Sequence, residues 1–207
     1  MTRRVNDNEN LDTYYVYDNY DNLCYVLTPE CTAAFNYRQS DTDDILKNYA
    51  YIYKYDNSNR CIYLKKPSSE PIYYVYDRSG QLIFCQDGNL RQMGFWCFTI
   101  PDRLGRTAIS GICSNNISYR SPENISSTII RAEKRYSSEK YLGYIISGIE
   151  LNDCEVLSAS YYDDYSFMDM SGYSRLRDIS PKTGRLSRGL LTGTYNATLG
   201  QRVNGYK

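Results

Sequence analysis

The feature that most constrains the fold of this chain is a motif that occurs four times. Each copy has an aromatic strand, an aspartate, two further residues, and then Gly, Asn or Asp. The copies are Tyr14–Tyr25, Ile52–Tyr63, Tyr73–Phe84 and a weaker one at Phe98–Ile109. The aspartate accepts hydrogen bonds from the backbone after it, and Gly or Asn adopts the left-handed conformation that closes a hairpin. The turn-forming residues are therefore Asp18, Asp56, Asp77, Gly80, Asp102 and Gly105.

Apolar residues resume after each turn, so the motif predicts a mainly β fold of antiparallel hairpins, as a meander or as a sandwich or barrel. We expect one β-rich domain over residues 12–173, preceded by a polar arm at 1–11. One helix is predicted at residues 41–48, and a second begins at Ser121-Pro122-Glu123 and runs to about residue 138. Residues 174–207 lose their aromatics and gain Gly, Thr and Arg, which predicts an extended basic arm.

Tyrosine dominates the strands, with 24 tyrosines and no histidine among 207 residues. Tyrosine offers large amphipathic contact area at low entropic cost, which favours binding to other surfaces. Because side chains alternate along a strand, tyrosines two residues apart share one face of the sheet. The predicted contact residues are Tyr14, Tyr15, Tyr17, Tyr51, Tyr53, Tyr55, Tyr73, Tyr74, Tyr76, Tyr161, Tyr162 and Tyr165. Cross-strand pairing inside the fold is the other role open to each of them.

The charges are balanced overall but unevenly placed. There are 24 basic and 24 acidic residues, so the formal net charge is zero, which favours self-association. Residues 1–60 carry ten acids and six bases, whereas residues 171–207 carry seven bases and one acid. The basic arm could contact neighbouring molecules through Arg175, Arg177, Arg185, Arg188 and Arg202. The overall balance does not suit a nucleic-acid-coating protein, and we expect no nucleic-acid partner.

The sequence offers little for catalysis. Histidine, the commonest general base and metal ligand, is absent, and no phosphate-binding or nucleophile motif is present. The seven cysteines contain no C-x-x-C pair. We therefore expect a non-enzymatic protein with no catalytic, cofactor or metal site. No signal peptide or membrane-spanning segment is visible, so we expect an intracellular protein that does not require a membrane.

The tyrosine-rich, near-neutral composition resembles that of polyhedrins, viral proteins that crystallise inside infected cells and dissolve in alkali. This resemblance implies a self-assembling matrix that ignores mild acid and is disrupted by strong alkali. It implies an occlusion body or virion location, with the chain itself and other virion proteins as partners.

Three segments look instead like the hairpin series of LURP-one and phospholipid scramblase proteins. They begin at Tyr74-Val-Tyr-Asp-Arg-Ser-Gly, at Phe98-Thr-Ile-Pro-Asp-Arg and at Leu142-Gly-Tyr-Ile-Ile. This second resemblance implies a β-barrel module that binds a membrane surface. We expect the first function, a self-assembling structural protein held by tyrosine contacts, with the membrane-surface module as the alternative.

Overall fold

The computed structural model describes residues 1–6, 9–37, 42–136, 140–170 and 187–197. Their secondary structure is mainly antiparallel strand, so the predicted fold class is confirmed. The strands are β1 (Thr2–Asn6), β2 (Glu9–Tyr17), β3 (Leu23–Leu27), β4 (Ala50–Tyr55), β5 (Cys61–Lys65), β6 (Ile72–Tyr76), β7 (Leu82–Gln86), β8 (Trp96–Pro101), β9 (Thr107–Cys113), β10 (Arg131–Lys134), β11 (Tyr144–Ser147), β12 (Glu155–Tyr162) and β13 (Leu191–Asn196).

Short helices connect some of the strands. They are α1 (Pro29–Tyr37), α2 (Thr42–Tyr49), α3 (Gly88–Met93) and α4 (Glu123–Ser126), with a 3₁₀ turn at Ser166–Asp169. Helix α2 is the predicted one, with acids in its first turn as expected for a helix start. Helix α1 was not expected. It comes after Thr28, whose hydroxyl accepts a hydrogen bond from the Cys31 amide in the manner of an N-cap.

The described residues divide into two compact units. The single β-rich domain expected over residues 12–173 stays a prediction. The first unit contains Met1–Tyr74, Cys85–Met93 and Ser118–Ser121. The second contains Val75–Phe84, Gly94–Ile117 and the described residues from Pro122 onward.

In the first unit, β1 to β6 pair consecutively and antiparallel, each strand with the next along the chain. Helices α1 and α2 pack together beside this sheet. Their shared core contains the buried side chains of Cys31, Ile45 and Ala50. The core is small, so many tyrosines of the sheet remain half-buried or exposed.

The second unit has a larger core. Strands β8, β9, β12 and β13 pair antiparallel in that order, and β10 and β11 form a separate two-stranded sheet. Phe98, Ile100, Ile109 and Ala159 are fully buried on these strands. Burial of this apolar surface is the main stabilising contribution in the unit.

Both predicted arms differ from the structure where it describes them. The N-terminal segment is not an arm, because Thr2–Asn6 forms β1 and pairs with the start of β2. Within the predicted C-terminal arm, Leu191–Asn196 forms β13 and pairs with β12. The alternating Leu191, Gly193 and Tyr195 suit a strand once a partner edge is available. Residues 174–186 and 198–207 lie outside the described part of the chain.

The helix predicted to run from about 122 to 138 ends at Ser126. No side chain caps its start, and Ser127 and Thr128 come directly after it. Serine and β-branched threonine compete with or crowd helical hydrogen bonding, so the helix stops. Strand β10 then begins at Arg131.

Candidate functional site

The four aspartate turns share one hydrogen-bond pattern. In each, the inner carboxylate oxygen Oδ1 accepts from the backbone amides two and four residues later. The donors are Tyr20 (2.8 Å) and Asn22 (2.9 Å) for Asp18, Ser58 (2.8 Å) and Arg60 (3.0 Å) for Asp56, Ser79 and Gln81 (both 2.9 Å) for Asp77, and Leu104 (2.8 Å) and Arg106 (3.0 Å) for Asp102. The residue three positions after the aspartate has a positive φ in every case, as the motif predicts: Asp21, Asn59, Gly80 and Gly105.

At three of these turns the outer oxygen Oδ2 also accepts a hydrogen bond from an arginine guanidinium. The pairs are Asp56–Arg60 at 2.7 Å, Asp77–Arg131 at 2.9 Å and Asp102–Arg106 at 2.8 Å. In two pairs the arginine is four residues after the aspartate, and in the third it comes from β10. Sequence reasoning missed these arginines, although the Asp-x-x-x-Arg spacing at 56–60 and 102–106 carried the signal.

The Asp18 turn differs from the other three. Its fourth residue is Asn22, whose amide Nδ2 donates to Asp18 Oδ2 at 3.1 Å. The same nitrogen donates to Asn59 Oδ1 at 3.1 Å, which links this turn to the next one. No arginine or lysine in the described chain forms an ion pair with Asp18.

A cleft of about 590 Å³ opens in the first unit beside these two turns. Its lining combines tyrosines with amides, the two turn aspartates, a cysteine and a lysine. The lining residues are Asp18, Tyr20, Asn22, Cys24, Tyr25, Tyr53, Lys54, Tyr55, Asp56, Asn57 and Asn59. Tyr53 and Tyr55 are thus the two predicted contact tyrosines that the fold brings into one cleft.

A network of ion pairs joins Arg106, Lys134 and three aspartates in the second unit. Arg106 binds both carboxylate oxygens of Asp163, at 3.0 and 2.7 Å, and its guanidinium lies 4.2 Å from the Tyr162 ring centroid. Lys134 Nζ donates to Asp164 Oδ2 at 2.9 Å. The guanidinium holds the pKa of the Asp163 carboxyl well below its usual range. The adjacent acids are therefore ionised and paired, which suits structural cross-linking better than proton transfer.

Other ionisable groups in this unit are held in unreactive forms. Burial raises the pKa of the Cys113 thiol to about 11, so it stays protonated at neutral pH. Burial also raises the pKa of Tyr136 and Tyr144. No group of three or more metal-binding side chains lies together in the described residues.

Two tyrosine clusters lie inside the units. In the first unit, the rings of Tyr73 and Tyr119 stack with centroids 3.9 Å apart, and Arg91 lies 4.5 Å from the Tyr73 centroid. In the second unit, Tyr161 stacks on Phe167 at 4.4 Å and is 1% exposed. The Tyr161 hydroxyl donates to the Leu142 carbonyl at 2.9 Å. Tyr161 is thus a core residue and is not available for the predicted contact role.

The exposed tyrosines of the first unit concentrate on β2 and its turn. Exposure is 40% for Tyr15, 41% for Val16, 58% for Tyr17 and 75% for Tyr20. Alternate side chains of a strand point to opposite faces, so both faces of this strand present apolar or aromatic surface. The period-two pattern of the tyrosines predicted such a surface but did not separate β2 from the less exposed strands.

The remaining predicted contact residues are half-buried, exposed, or outside the described part of the chain. Half-buried tyrosines are Tyr14, Tyr51, Tyr53, Tyr55, Tyr73, Tyr74, Tyr76, Tyr162 and Tyr165. Of the predicted arm contacts, Arg188 is exposed, and Arg175, Arg177, Arg185 and Arg202 lie outside the described residues.

Comparison with solved structures shows a likeness of fold at low sequence identity. The crystal structure of TcdB2-TccC3 matches with a TM-score of 0.51 and 9% sequence identity, over 94% of this chain. The match spans about 7% of the length of that chain. No protein-family model matches the sequence, and no curated protein matches it. The described part of the chain contains no helix that is long and apolar enough to cross a membrane.

Proposed function

We propose that this chain is a non-enzymatic structural protein that assembles with copies of itself through β2. The observation that carries the proposal is the exposure of consecutive apolar and aromatic residues, Tyr15, Val16 and Tyr17, on both faces of that strand. Exposed contiguous apolar surface on a folded protein marks a site of association.

The edge of β2 supports the same proposal. Strand β1 pairs with β2 only as far as Thr2 opposite Thr13, whereas β3 pairs with Tyr14–Tyr17 from the other side. Past Thr13, the edge of β2 that faces β1 has no strand beside it in the described residues. Such an edge presents backbone donors and acceptors that pair readily with another strand.

A second copy of the chain fits this edge. An antiparallel pair of identical strands is self-complementary about a two-fold axis, so the same four residues supply both halves of the contact. Exposed tyrosines on both sides would then form cross-strand aromatic pairs. A formal net charge of zero removes the long-range repulsion that keeps many proteins apart.

The viral setting and the alkali-soluble matrix remain predictions from composition. The alternative, a module of LURP-one or scramblase type at a membrane surface, also remains a prediction.

The proposal is tested by sedimentation velocity of the purified chain over a hundredfold concentration range at pH 7. We expect the weight-average sedimentation coefficient to rise with concentration, because association through β2 is a mass-action equilibrium. A single monomeric species at every concentration would contradict it.

A further inference from the structure

We propose that the Asp18 turn is a binding site for a guanidinium group supplied from outside the chain. At the other three aspartate turns an arginine of the chain itself occupies the outer carboxylate oxygen. At Asp18 the outer oxygen accepts from the Asn22 amide, four residues later, and no arginine of the described chain donates to it. Such a site does not depend on assembly through β2.

The space for such a ligand is present at this turn. The 590 Å³ cleft lies against Asp18, and Tyr20, Tyr25, Tyr53 and Tyr55 contribute to its walls. A guanidinium binds the face of an aromatic ring as well as a carboxylate. Cavities of this size commonly hold small ligands.

The second unit contains a complete example of the proposed arrangement. Arg106 binds the turn carboxylate of Asp102 and also lies 4.2 Å from the centroid of the Tyr162 ring. The Asp18 cleft has the carboxylate and the rings but no guanidinium from the described chain. An incoming arginine side chain would complete the same set of contacts.

The charge of the cleft favours a cation over a neutral ligand. Hydrogen bonds from Asn22 lower the pKa of Asp18, so the carboxylate is ionised at neutral pH. The other turn acid, Asp56, is already paired with Arg60. Lys54 also contributes to the lining, but its ammonium lies 5.1 Å from the centroid of the Tyr63 ring, which is not part of the cleft wall.

The outer oxygen of Asp18 has the capacity for another donor. It accepts one hydrogen bond, from the Asn22 amide. The outer oxygen of Asp77 accepts two, from the Ile130 backbone amide at 3.1 Å and from Arg131 at 2.9 Å. A carboxylate oxygen carries two lone pairs, so both donors fit.

The site is tested by titrating N-acetyl-arginine amide into the ¹⁵N-labelled chain and following the backbone amide signals. We expect saturable shifts at Tyr20 and Asn22, the two amides that donate to Asp18. N-acetyl-lysine amide should bind more weakly, since an ammonium cannot make the paired contacts of a guanidinium. Absence of a saturable shift at these amides in the wild-type chain would overturn the proposal.

Two variants at one position provide the matched comparison. Asn22→Arg places an arginine four residues after the aspartate, as at Asp56 and Asp102. It should fill the site internally and weaken binding of the arginine amide at least about tenfold, because the charged acceptor is already occupied. Asn22→Gln changes the same side chain without adding charge and should bind within about threefold of wild type. Equal binding by wild type and Asn22→Arg would also overturn the proposal.

The same variants distinguish the source of the guanidinium. If an arginine of a second copy fills the cleft, Asn22→Arg lowers self-association and free arginine amide competes with it. If a small soluble compound is the ligand, Asn22→Arg weakens binding of the arginine amide and leaves the sedimentation behaviour unchanged. Either result supports guanidinium binding at the Asp18 turn, and neither depends on whether β2 mediates assembly.

Discussion

A single buried carboxylate shows how one residue can join several segments. Asp77 is 0% exposed, and its oxygens accept from the amides of Ser79, Gln81 and Ile130 and from the Arg131 guanidinium. A buried charge is tolerated when donors surround it in this way. Its position as a turn residue was predictable from the motif. Its partners on β10 and just before that strand were not, because nothing in the local sequence indicates which distant strand will lie beside the turn.

Asp77 is buried and Asp56 is only partly buried, so substitution by alanine should lower the free energy of unfolding by different amounts at the two turns. Asp77→Ala should lower the free energy of unfolding by about 3–5 kcal/mol, because it removes the acceptor of a partly buried guanidinium and of several backbone amides. Asp56→Ala, at a turn whose ion pair is partly open to water, should cost about 1–2 kcal/mol. Urea denaturation followed by circular dichroism measures both. Equal losses would show that burial of Asp77 is not what makes it important.

At the scale of elements, two similar start sequences lead to helices of different length. Thr28-Pro29-Glu30 begins the nine-residue helix α1, whereas Ser121-Pro122-Glu123 begins a helix of four residues. The start signals are nearly the same, so the residues after them decide how long each helix becomes. Ala33 and Ala34 favour helix in the first case, and Ser126-Ser127-Thr128 before two isoleucines favours extended structure in the second.

The hairpins were predictable because both their turn chemistry and their alternation are local. Strand β13 was not, since its pairing with β12 depends on a long-range contact. A Gly-Thr-rich segment such as Leu191–Asn196 gives a weak signal by itself. The same distinction applies to the candidate site. The Asp18 turn could be predicted from the sequence, whereas the cleft that it forms with a second turn could not.

Close packing of β13 gives a prediction for one glycine. A Cβ at Gly193 would lie 2.4 Å from the Phe167 ring, which is itself stacked on Tyr161 and cannot easily move. Gly193→Ala should therefore lower the free energy of unfolding by about 1–3 kcal/mol through overpacking. The neighbouring exposed Thr194→Ala should change it by less than about 0.5 kcal/mol. Thermal or urea denaturation checks the pair, and a neutral Gly193→Ala would contradict the assigned packing.

At the scale of the whole molecule, the absence of histidine shapes the pH dependence. Carboxylates such as Asp163, with a lowered pKa in the folded state, stabilise fully above the unfolded pKa near 4 and lose this contribution as pH falls below it. Tyr136 and Tyr144 have raised pKa values in the folded state. Their contribution to the free energy of unfolding is therefore fully present below the unfolded pKa, near about 10, and is lost as the pH rises above it. Between about pH 5 and 8 no side chain has its ordinary pKa, because histidine is absent and the seven cysteines titrate at higher pH.

We therefore expect the free energy of unfolding to be nearly constant from about pH 5 to 8 and to fall in alkali. Above about pH 10 the unfolded chain releases phenolic protons first, so each such tyrosine lowers stability by up to about 1.4 kcal/mol per pH unit. Urea denaturation across this range and into alkali measures the effect, and Tyr136→Phe should reduce the alkaline slope. A marked loss of stability near neutral pH would be inconsistent with these assignments.

The proposed assembly requires that β2 of one molecule contacts β2 of another. Val16→Lys places a charge in the middle of the exposed strand, a substitution that blocks edge pairing. Leu82→Lys changes an equally exposed leucine elsewhere, at 39% exposure compared with 41% for Val16, and serves as the control. The decisive measurement is sedimentation velocity of the three proteins at matched concentrations and neutral pH. We predict that wild type and Leu82→Lys associate alike while Val16→Lys sediments as a monomer; association of Val16→Lys to the same extent as wild type would contradict assembly through β2.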